Sequence, residues 1–261
     1  MQEYTGFAAE YDKFMDNVPY DEWVKYICML LKENGVADKS GKLVCELGCG
    51  TGSVTRRLKD RGYDMIGIDI SEEMLEIARY DYFEESEGIL YLLQDMREFE
   101  LYGTVDAFVS VCDSMNYLLT EKDLLKTFKL VNNYLEAGGV FIFDMKTEYE
   151  YMHAMGTRTI AETREDAAMI WENSYDEKLG INTYDITIFS LVDDEEEIYQ
   201  RFEEQHKQKS WPIDKVKELI EKAGMEFVCV YDAFTKNVPN DTSERVYFVA
   251  REKKQKGKLY V

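Results

Sequence analysis

The residues that most restrict this chain are Glu46-Leu-Gly48-Cys49-Gly50-Thr-Gly52, three glycines in five positions between a short apolar strand and a helix. Glycines at such a junction let backbone approach a ligand closely, and the first amides of the following helix point toward it. The run 42–47 reads as the strand and 53–59 as the helix. A second strand over 64–69 ends at Asp69, 21 residues beyond Gly48, where a carboxylate can accept both hydroxyls of an adenosine ribose. The dinucleotide fingerprint is GxGxxG; here the third glycine comes one residue earlier, as GxGxG. A glycine loop by itself is a weak signal. With Glu46 before it, a strand leading in and Asp69 in register, it becomes specific.

The alternation continues down the chain. Apolar residues recur at helical spacing over 20–33. Ser71 caps a helix with Glu72 and Glu73 in its first turn, where negative charge is favoured. Strands follow at 89–93 and 105–112, the second an apolar run suited to a buried parallel position. Thr120 caps a helix predicted to reach Leu135 and to be stopped by Gly138 and Gly139, ahead of a strand at 140–144. Strands separated by helices imply βαβ units and a parallel sheet. From about Thr157 the period changes to two, over 159–163, 168–175, 181–191 and 197–208, which predicts an antiparallel insertion of three or four strands. A helix at 213–223, stopped by Gly224, and closing strands at 227–233 and 244–250 complete the pattern.

The expected fold class is therefore α/β. It has a Rossmann-like, seven-stranded, mostly parallel sheet flanked by helices, built from 1–150 and 210–261 with a helical cap over about 1–35. An inserted antiparallel sheet is expected over 157–208.

Charge narrows the partners. The 31 Lys and Arg stand against 52 Asp and Glu, a formal net charge of −21, and phosphate attraction dominates nucleic-acid affinity, so no nucleic-acid partner is expected. No apolar run is long enough to span a membrane, and the first residues lack the pattern of a signal peptide. Five cysteines and two histidines, mostly far apart in sequence, give no metal site and fit a reduced cytoplasm. The acidic run at 193–197 lacks the spacing and glycine of a calcium loop and reads as a solvated turn; the basic tail over 251–258 reads as a solvated terminus.

The segment ELGCGTG resembles the first motif of class I S-adenosylmethionine-dependent methyltransferases. Further pieces match in order. Gly67-Ile-Asp69-Ile70-Ser71 resembles the ribose and adenine motif, and Gln94-Asp95-Met96 the stretch that reads the adenine amine. Residues 105–112 and the Gly138-Gly139 turn resemble the fourth strand and the approach to the fifth. The N-terminal FAAEYD and the inserted strands are similar to a bacterial small-molecule subgroup that includes sugar-amine and glycine/sarcosine N-methyltransferases. That resemblance implies S-adenosylmethionine as cofactor, S-adenosylhomocysteine as product, and a small-molecule acceptor methylated at nitrogen or oxygen by in-line displacement, with the inserted sheet over 157–208 forming a lid over the substrate. A homodimer is left open.

The resemblance also assigns residues. Gly48, Gly50 and Gly52 would hold the methionine moiety, and Glu46 and Cys49 would also bind the cofactor; Asp69 would bind ribose; Ile70 and Met96 would flank adenine, and Asp95 would face its amine. Cys112 would offer its carbonyl to the methionine ammonium, and Tyr11 would cover the cofactor, unless it is ordinary helix packing. Asp113, Asn116 and Tyr117, on the loop after the fourth strand, would orient substrate, with loop capping the alternative for the first two. Tyr117 stands where the sugar-amine enzymes resemble one another in placing a histidine. His153 and His206 read as exposed or satisfied rather than catalytic. Among Trp171, Tyr175, Tyr184 and Phe189, alternate side chains would face a pocket and the others would not. Two other readings remain at this point: a protein that binds the cofactor without turning it over, and an NAD(P)-dependent oxidoreductase.

Overall fold

The computed structural model describes residues 7–37, 41–80, 82–193 and 198–254. The expected turn at 194–197 and the tail beyond Lys254 lie outside the described residues.

Five parallel strands carry the centre of the molecule: β1 (Leu43–Leu47), β2 (Asp64–Asp69), β3 (Leu90–Leu93), β4 (Val105–Ser110) and β5 (Leu135–Lys146). The chain closes with β10 (Met225–Asp232) and β11 (Arg245–Glu252), giving a seven-stranded sheet of order β10-β11-β5-β4-β1-β2-β3. β11 runs antiparallel to both neighbours, and all other pairings are parallel. The strand order reverses between β1 and β4, and in such sheets ligands bind beyond the carboxyl ends of the strands at that switch.

Helices cover both faces. α2 (Tyr20–Glu33) and α3 (Ser53–Asp60) bury Ile27, Leu30, Leu31, Val54 and Leu58 against Val44, Val109 and Ile142. α5 (Glu121–Tyr134) and α6 (Ile213–Lys222) bury Leu124, Phe128, Val216 and Ile220 against Phe108, Phe141 and Phe143 on the other face. These strands are apolar on both sides, as a sheet covered twice must be. α4 (Glu72–Tyr80) begins as read from the sequence, with Ser71 Oγ accepting from Met74 N at 3.2 Å. Thr120 caps α5 by accepting from Asp123 N at 3.1 Å.

The start of β5 differs. Gly138 and Gly139 do not precede β5 but lie inside it. The strand pairs Leu135 with Val105, skips, and resumes with Val140 opposite Ala107. Gly138 N is held by Glu252 Oε2 at 3.0 Å, so the expected stop is an irregular stretch of strand tied to β11.

The inserted strands form a separate antiparallel sheet in the order β6 (Thr159–Thr163), β7 (Ala167–Asp176), β8 (Ile181–Asp193) and β9 (Ile198–Lys209). Its register places Trp171 opposite Ile186 and Tyr184 opposite His206. That face packs on the core through Met169, Tyr184, Ile186 and Ile188, with Phe14 of the N-terminal helix α1 (Phe7–Phe14).

Candidate active site

Strand β1 delivers the glycine loop to the carboxyl edge of the sheet, where it is tied to β2. Gly48 N and Cys49 N both donate to Ile68 O, at 2.8 and 3.0 Å. Gly50 N donates to Asp69 Oδ2 at 2.7 Å, and Ser71 N to Asp69 Oδ1 at 2.9 Å. Burial raises the Asp69 carboxyl above its ordinary value, against the lowering effect of amides from Ser71, Gly50 and Ile70. Each oxygen keeps a second lone pair for another donor.

Two glycines are required for different reasons. At Gly48, φ is +73°, and a Cβ would lie 2.6 Å from Ser114 Oγ, so the loop and the turn after β4 meet only without a side chain. At Gly50, φ is +54° and the space beyond is open, with nothing within 4 Å of a built Cβ. That opening leads into a cavity of about 900 Å³.

Glu46, Cys49, Asp69, Ile70, Asp95 and Met96 line one end of the cavity. Ile70 is a large apolar side chain left 58% exposed at the rim. Asp95 reaches the rim already paired with Arg97, whose Nε lies 2.9 Å from each carboxylate oxygen. Burial opposes the Asp95 charge, but Arg97 holds the carboxyl below its usual value. Glu46 is 2% exposed and accepts from the Thr55 hydroxyl. Burial pushes its carboxyl up to about 8, with the nearby Asp69 charge adding to the rise.

The N-terminal helix covers this end. Thr51 Oγ1 donates to Asp12 Oδ1 and Tyr82 OH to Asp12 Oδ2, each at 2.8 Å. The same helix reaches the inserted sheet, where Ser190 Oγ donates to Glu10 Oε1 at 2.6 Å and Lys13 pairs with Asp166 at 2.7 Å. Tyr11 belongs to α1, but its side chain lies outside the described residues.

At the other end β4 stops at Ser110, short of Cys112, and the chain turns sharply. Cys112 and Asp113 are consecutive non-glycine residues at φ +57° and +55°, a strained corner of the kind concentrated at functional sites. The corner buries Asp113 in a charge network. Its Oδ1 accepts from Arg245 Nη2 at 2.7 Å and its Oδ2 from Gln208 Nε2 at 2.7 Å, with Lys146 Nζ 3.2 Å away. Asp144 joins through Arg245 Nη1 at 2.6 Å and accepts from Asp113 N at 2.8 Å. Burial opposes the Asp113 charge, but Lys146 and Arg245 hold its carboxyl below the usual value.

The three residues expected to orient substrate therefore part ways. Asp113 and Tyr117 line the cavity. Asn116 is corrected: it is 0% exposed and spent on backbone, donating to Lys146 O at 3.1 Å and Lys209 O at 2.8 Å and accepting from Lys146 N at 3.0 Å. Its amide fastens β5 to the end of β9 and does not line the cavity. His206, read as exposed or satisfied, is buried with Nε2 3.1 Å from Glu204 Oε2. It also lines the cavity, with its ring centroid 6.0 Å from that of Tyr117. Trp171 and Tyr184, on the inner face of the inserted sheet, share that wall, while Tyr175 stacks on Tyr151. Lys146, Arg245 and Gln208 carry no local motif; only the pairing of β11 with β5 and the docking of β9 bring them to Asp113.

A methyltransferase-domain family model matches residues 44–139. The relative "Putative methyltransferase YqeM" of Bacillus subtilis (strain 168) is 36% identical over 96% of this chain and 98% of its own length. A solved S-adenosylmethionine-dependent methyltransferase from Clostridium acetobutylicum shares 25% identity, covers 95% of this chain and 98% of its own, and superposes with a TM-score of 0.82. CalS10 of Micromonospora echinaspora, an amino pentose methyltransferase solved with S-adenosylmethionine, shares the fold at 16% identity and a TM-score of 0.71, covering 97% of this chain and 98% of its own.

The residues at the loop fit that cofactor. Gly50 opens onto the cavity where a side chain would intrude, Asp69 presents carboxylate oxygens beside it, and exposed Ile70 supplies an apolar surface for a base. The first turn of α3 carries no acidic residue and suits a carboxylate. The oxidoreductase reading falls with these findings, and the chain belongs to the S-adenosylmethionine-dependent methyltransferases.

Proposed function

We propose that this enzyme methylates a nitrogen or oxygen of a small molecule, in the cytoplasm, with the inserted sheet acting as a lid over the acceptor. The observation that carries the reading is one continuous cavity of about 900 Å³ lined both by the glycine loop and by the inner face of the inserted sheet. That volume suits a cofactor and a small acceptor, within the range of small-molecule pockets. The net charge of −21 opposes a nucleic-acid substrate. A glycine/sarcosine N-methyltransferase of Halorhodospira halochloris, 29% identical over 56% of this chain, supports a nitrogen nucleophile.

When bound, S-adenosylmethionine supplies an electrophilic sulfonium methyl, and the electron pair of the broken C–S bond stays on sulfur to give S-adenosylhomocysteine. The protein's work is to align and to exclude water. Asp69 would take the ribose hydroxyls, Ile70 and Met96 the faces of adenine, and Asp95 its amine. The glycine loop, the Cys112 carbonyl, Glu46 and the N-terminus of α3 would hold the methionine end. Asp113 and Tyr117 would orient the acceptor beside the wall that Trp171 and Tyr184 form.

The test is S-adenosylhomocysteine release from S-adenosylmethionine with pools of small amines, amino acids, amino sugars and phenols, set against tRNA and a peptide library. Product that depends on a small-molecule pool supports the reading. Product that appears only with tRNA or peptide overturns it.

A further inference from the structure

Strand β9 borders the cavity with its edge as well as its inner face. Gln205, His206, Lys207 and Gln208 all line it, although successive side chains of a strand point to opposite sides. The Gln205 side chain is committed to the outer face, where its Nε2 donates to Asp185 Oδ1 at 2.8 Å. Gln205 and Lys207, which share that outer face, therefore meet the cavity through their main chain.

The ladder decides which main-chain groups point there. β9 ends the order of its sheet and pairs with β8 alone among the described residues. Ser210 N donates to Gly180 O at 2.9 Å, in the register that sets Ile181 opposite Lys209. Hydrogen-bonded pairs alternate along an antiparallel ladder, so Glu204, His206 and Gln208 bond to β8. Gln205, Lys207 and Lys209 turn their N–H and C=O the other way. Two further bonds agree. Leu191 N donates to Asp166 O at 2.8 Å, which commits the odd residues of β8 to β7. Asn116 Nδ2, from outside the sheet, donates to Lys209 O at 2.8 Å. One step along, Lys207 turns a donor and an acceptor toward the cavity, and among the described residues none takes them. The edge lies at the acceptor end, since the neighbouring Gln208 Nε2 donates to Asp113 Oδ2 at 2.7 Å.

An unmet donor and acceptor side by side specify their occupant. The N–H and C=O of one peptide unit point to opposite sides of an extended chain, whereas the N–H and C=O that flank one carbon point to the same side. Meeting both groups of Lys207 thus takes an α-amino-acid unit. Both groups are neutral dipoles, and a free amino acid would bring an ammonium and a carboxylate that they cannot neutralise. An acylated nitrogen brings a neutral donor.

We propose that the methyl acceptor carries an acylated α-amino-acid unit and binds extended along β9. Its N–H donates to the Lys207 carbonyl and its C=O accepts from the Lys207 N–H, as in an added strand. This rests on the small-molecule reading above and narrows its acceptor class.

The test uses N-acetylglycinamide and acetoxyacetamide, which differ only in an N–H against an ester oxygen. NMR of the enzyme loaded with S-adenosylhomocysteine follows the backbone amide of Lys207, assigned with Lys207→Ala. Before any probe, that amide should exchange its hydrogen far faster than the Gln208 amide in the ladder. N-acetylglycinamide should shift it and slow its exchange, and the ester should bind about tenfold more weakly. Three results overturn the proposal: exchange at Lys207 already as slow as at Gln208, no shift at the solubility limit of the amide, or equal affinity for the two probes.

Lys207→Pro removes the outward N–H without taking a bond from the β8 ladder, a position where an edge strand tolerates proline. It should bind N-acetylglycinamide about tenfold more weakly than Lys207→Ala, because both lose the side chain and proline alone loses the N–H. Equal affinity in the two variants overturns the proposal. If the proline variant does not fold, the probe pair on the wild type decides alone. Calorimetry with S-adenosylhomocysteine separates the two readings. Failure of the wild type to bind it would sink the methyl-transfer reading itself, whereas normal binding with no preference for the amide overturns the assignment at Lys207 alone.

Discussion

Asp12 and Thr51 are hydrogen-bonded at 2.8 Å, which couples the N-terminal helix to the glycine loop at a point 1% exposed. The other Asp12 oxygen holds Tyr82, while Glu10 and Lys13 of the same helix hold Ser190 and Asp166 of the inserted sheet. Helix α1 thus spans the cofactor end and the inserted sheet. Asp12→Ala should loosen it, costing about 1–3 kcal/mol from the lost bonds to a charged group. Tryptic cleavage after Lys13 should accelerate, and S-adenosylhomocysteine should restore only part of the protection. Wild-type cleavage rates in the variant would show that α1 is held without the Asp12 bonds.

Asp69 has two tasks in the structure, holding Gly50 and facing the cavity. Asp69→Ala should reduce S-adenosylhomocysteine affinity at least about 100-fold, because a charged acceptor for two hydroxyls is worth about 1.5–3 kcal/mol per bond. The melting transition should remain cooperative. Asp69→Asn keeps one acceptor oxygen and should fall between the two. Wild-type affinity in the alanine variant would remove ribose from this residue.

How much of this was legible in the sequence follows from what is local. The glycine loop, Asp69, the Thr120 cap and the period-two stretches are patterns within a few residues, and each lies where its spacing places it. β5 was misread because Gly138 stops a helix in isolation, but here it is held inside a strand by Glu252, more than a hundred residues away in sequence. The Asp113 network and the His206 wall are likewise products of pairing between distant strands. In a two-faced strand a slip of one residue exchanges every inward side chain, so the register that puts Tyr184 and His206 inside could be set only by the folded sheet.

Glu46 should make both stability and cofactor binding pH-dependent. Its carboxyl rises from an ordinary 4.5 to about 8, so between those values the folded chain keeps a proton that the unfolded chain has lost. Stability from this group is therefore present at low pH and declines as pH climbs through that window. Glu46→Gln should flatten the decline. A cationic cofactor beside it favours the carboxylate, so S-adenosylmethionine binding at pH 7 should release protons, seen by calorimetry in two buffers of different ionisation enthalpy. An identical uncorrected enthalpy in both buffers would deny Glu46 that contact.

Asn116 gives the sharpest division between stability and chemistry. Its side-chain amide meets three backbone groups, the carbonyls of Lys146 and Lys209 and the amide of Lys146, in a position 0% exposed. Truncation leaves all three without their partner, and an unmet buried polar group costs about 1–3 kcal/mol, less than additively when neighbours share the loss. Asn116→Ala should therefore lower unfolding free energy by about 2–5 kcal/mol, as a fall in urea midpoint with an unchanged slope. Asn116→Asp should be no better, because a carboxylate cannot donate to the two carbonyls. Neither change touches the glycine loop, so S-adenosylhomocysteine affinity should stay within threefold of wild type at temperatures where the variants are folded. A stability loss under 0.5 kcal/mol, or a selective loss of methyl transfer at full stability, would return Asn116 to the substrate side of the site.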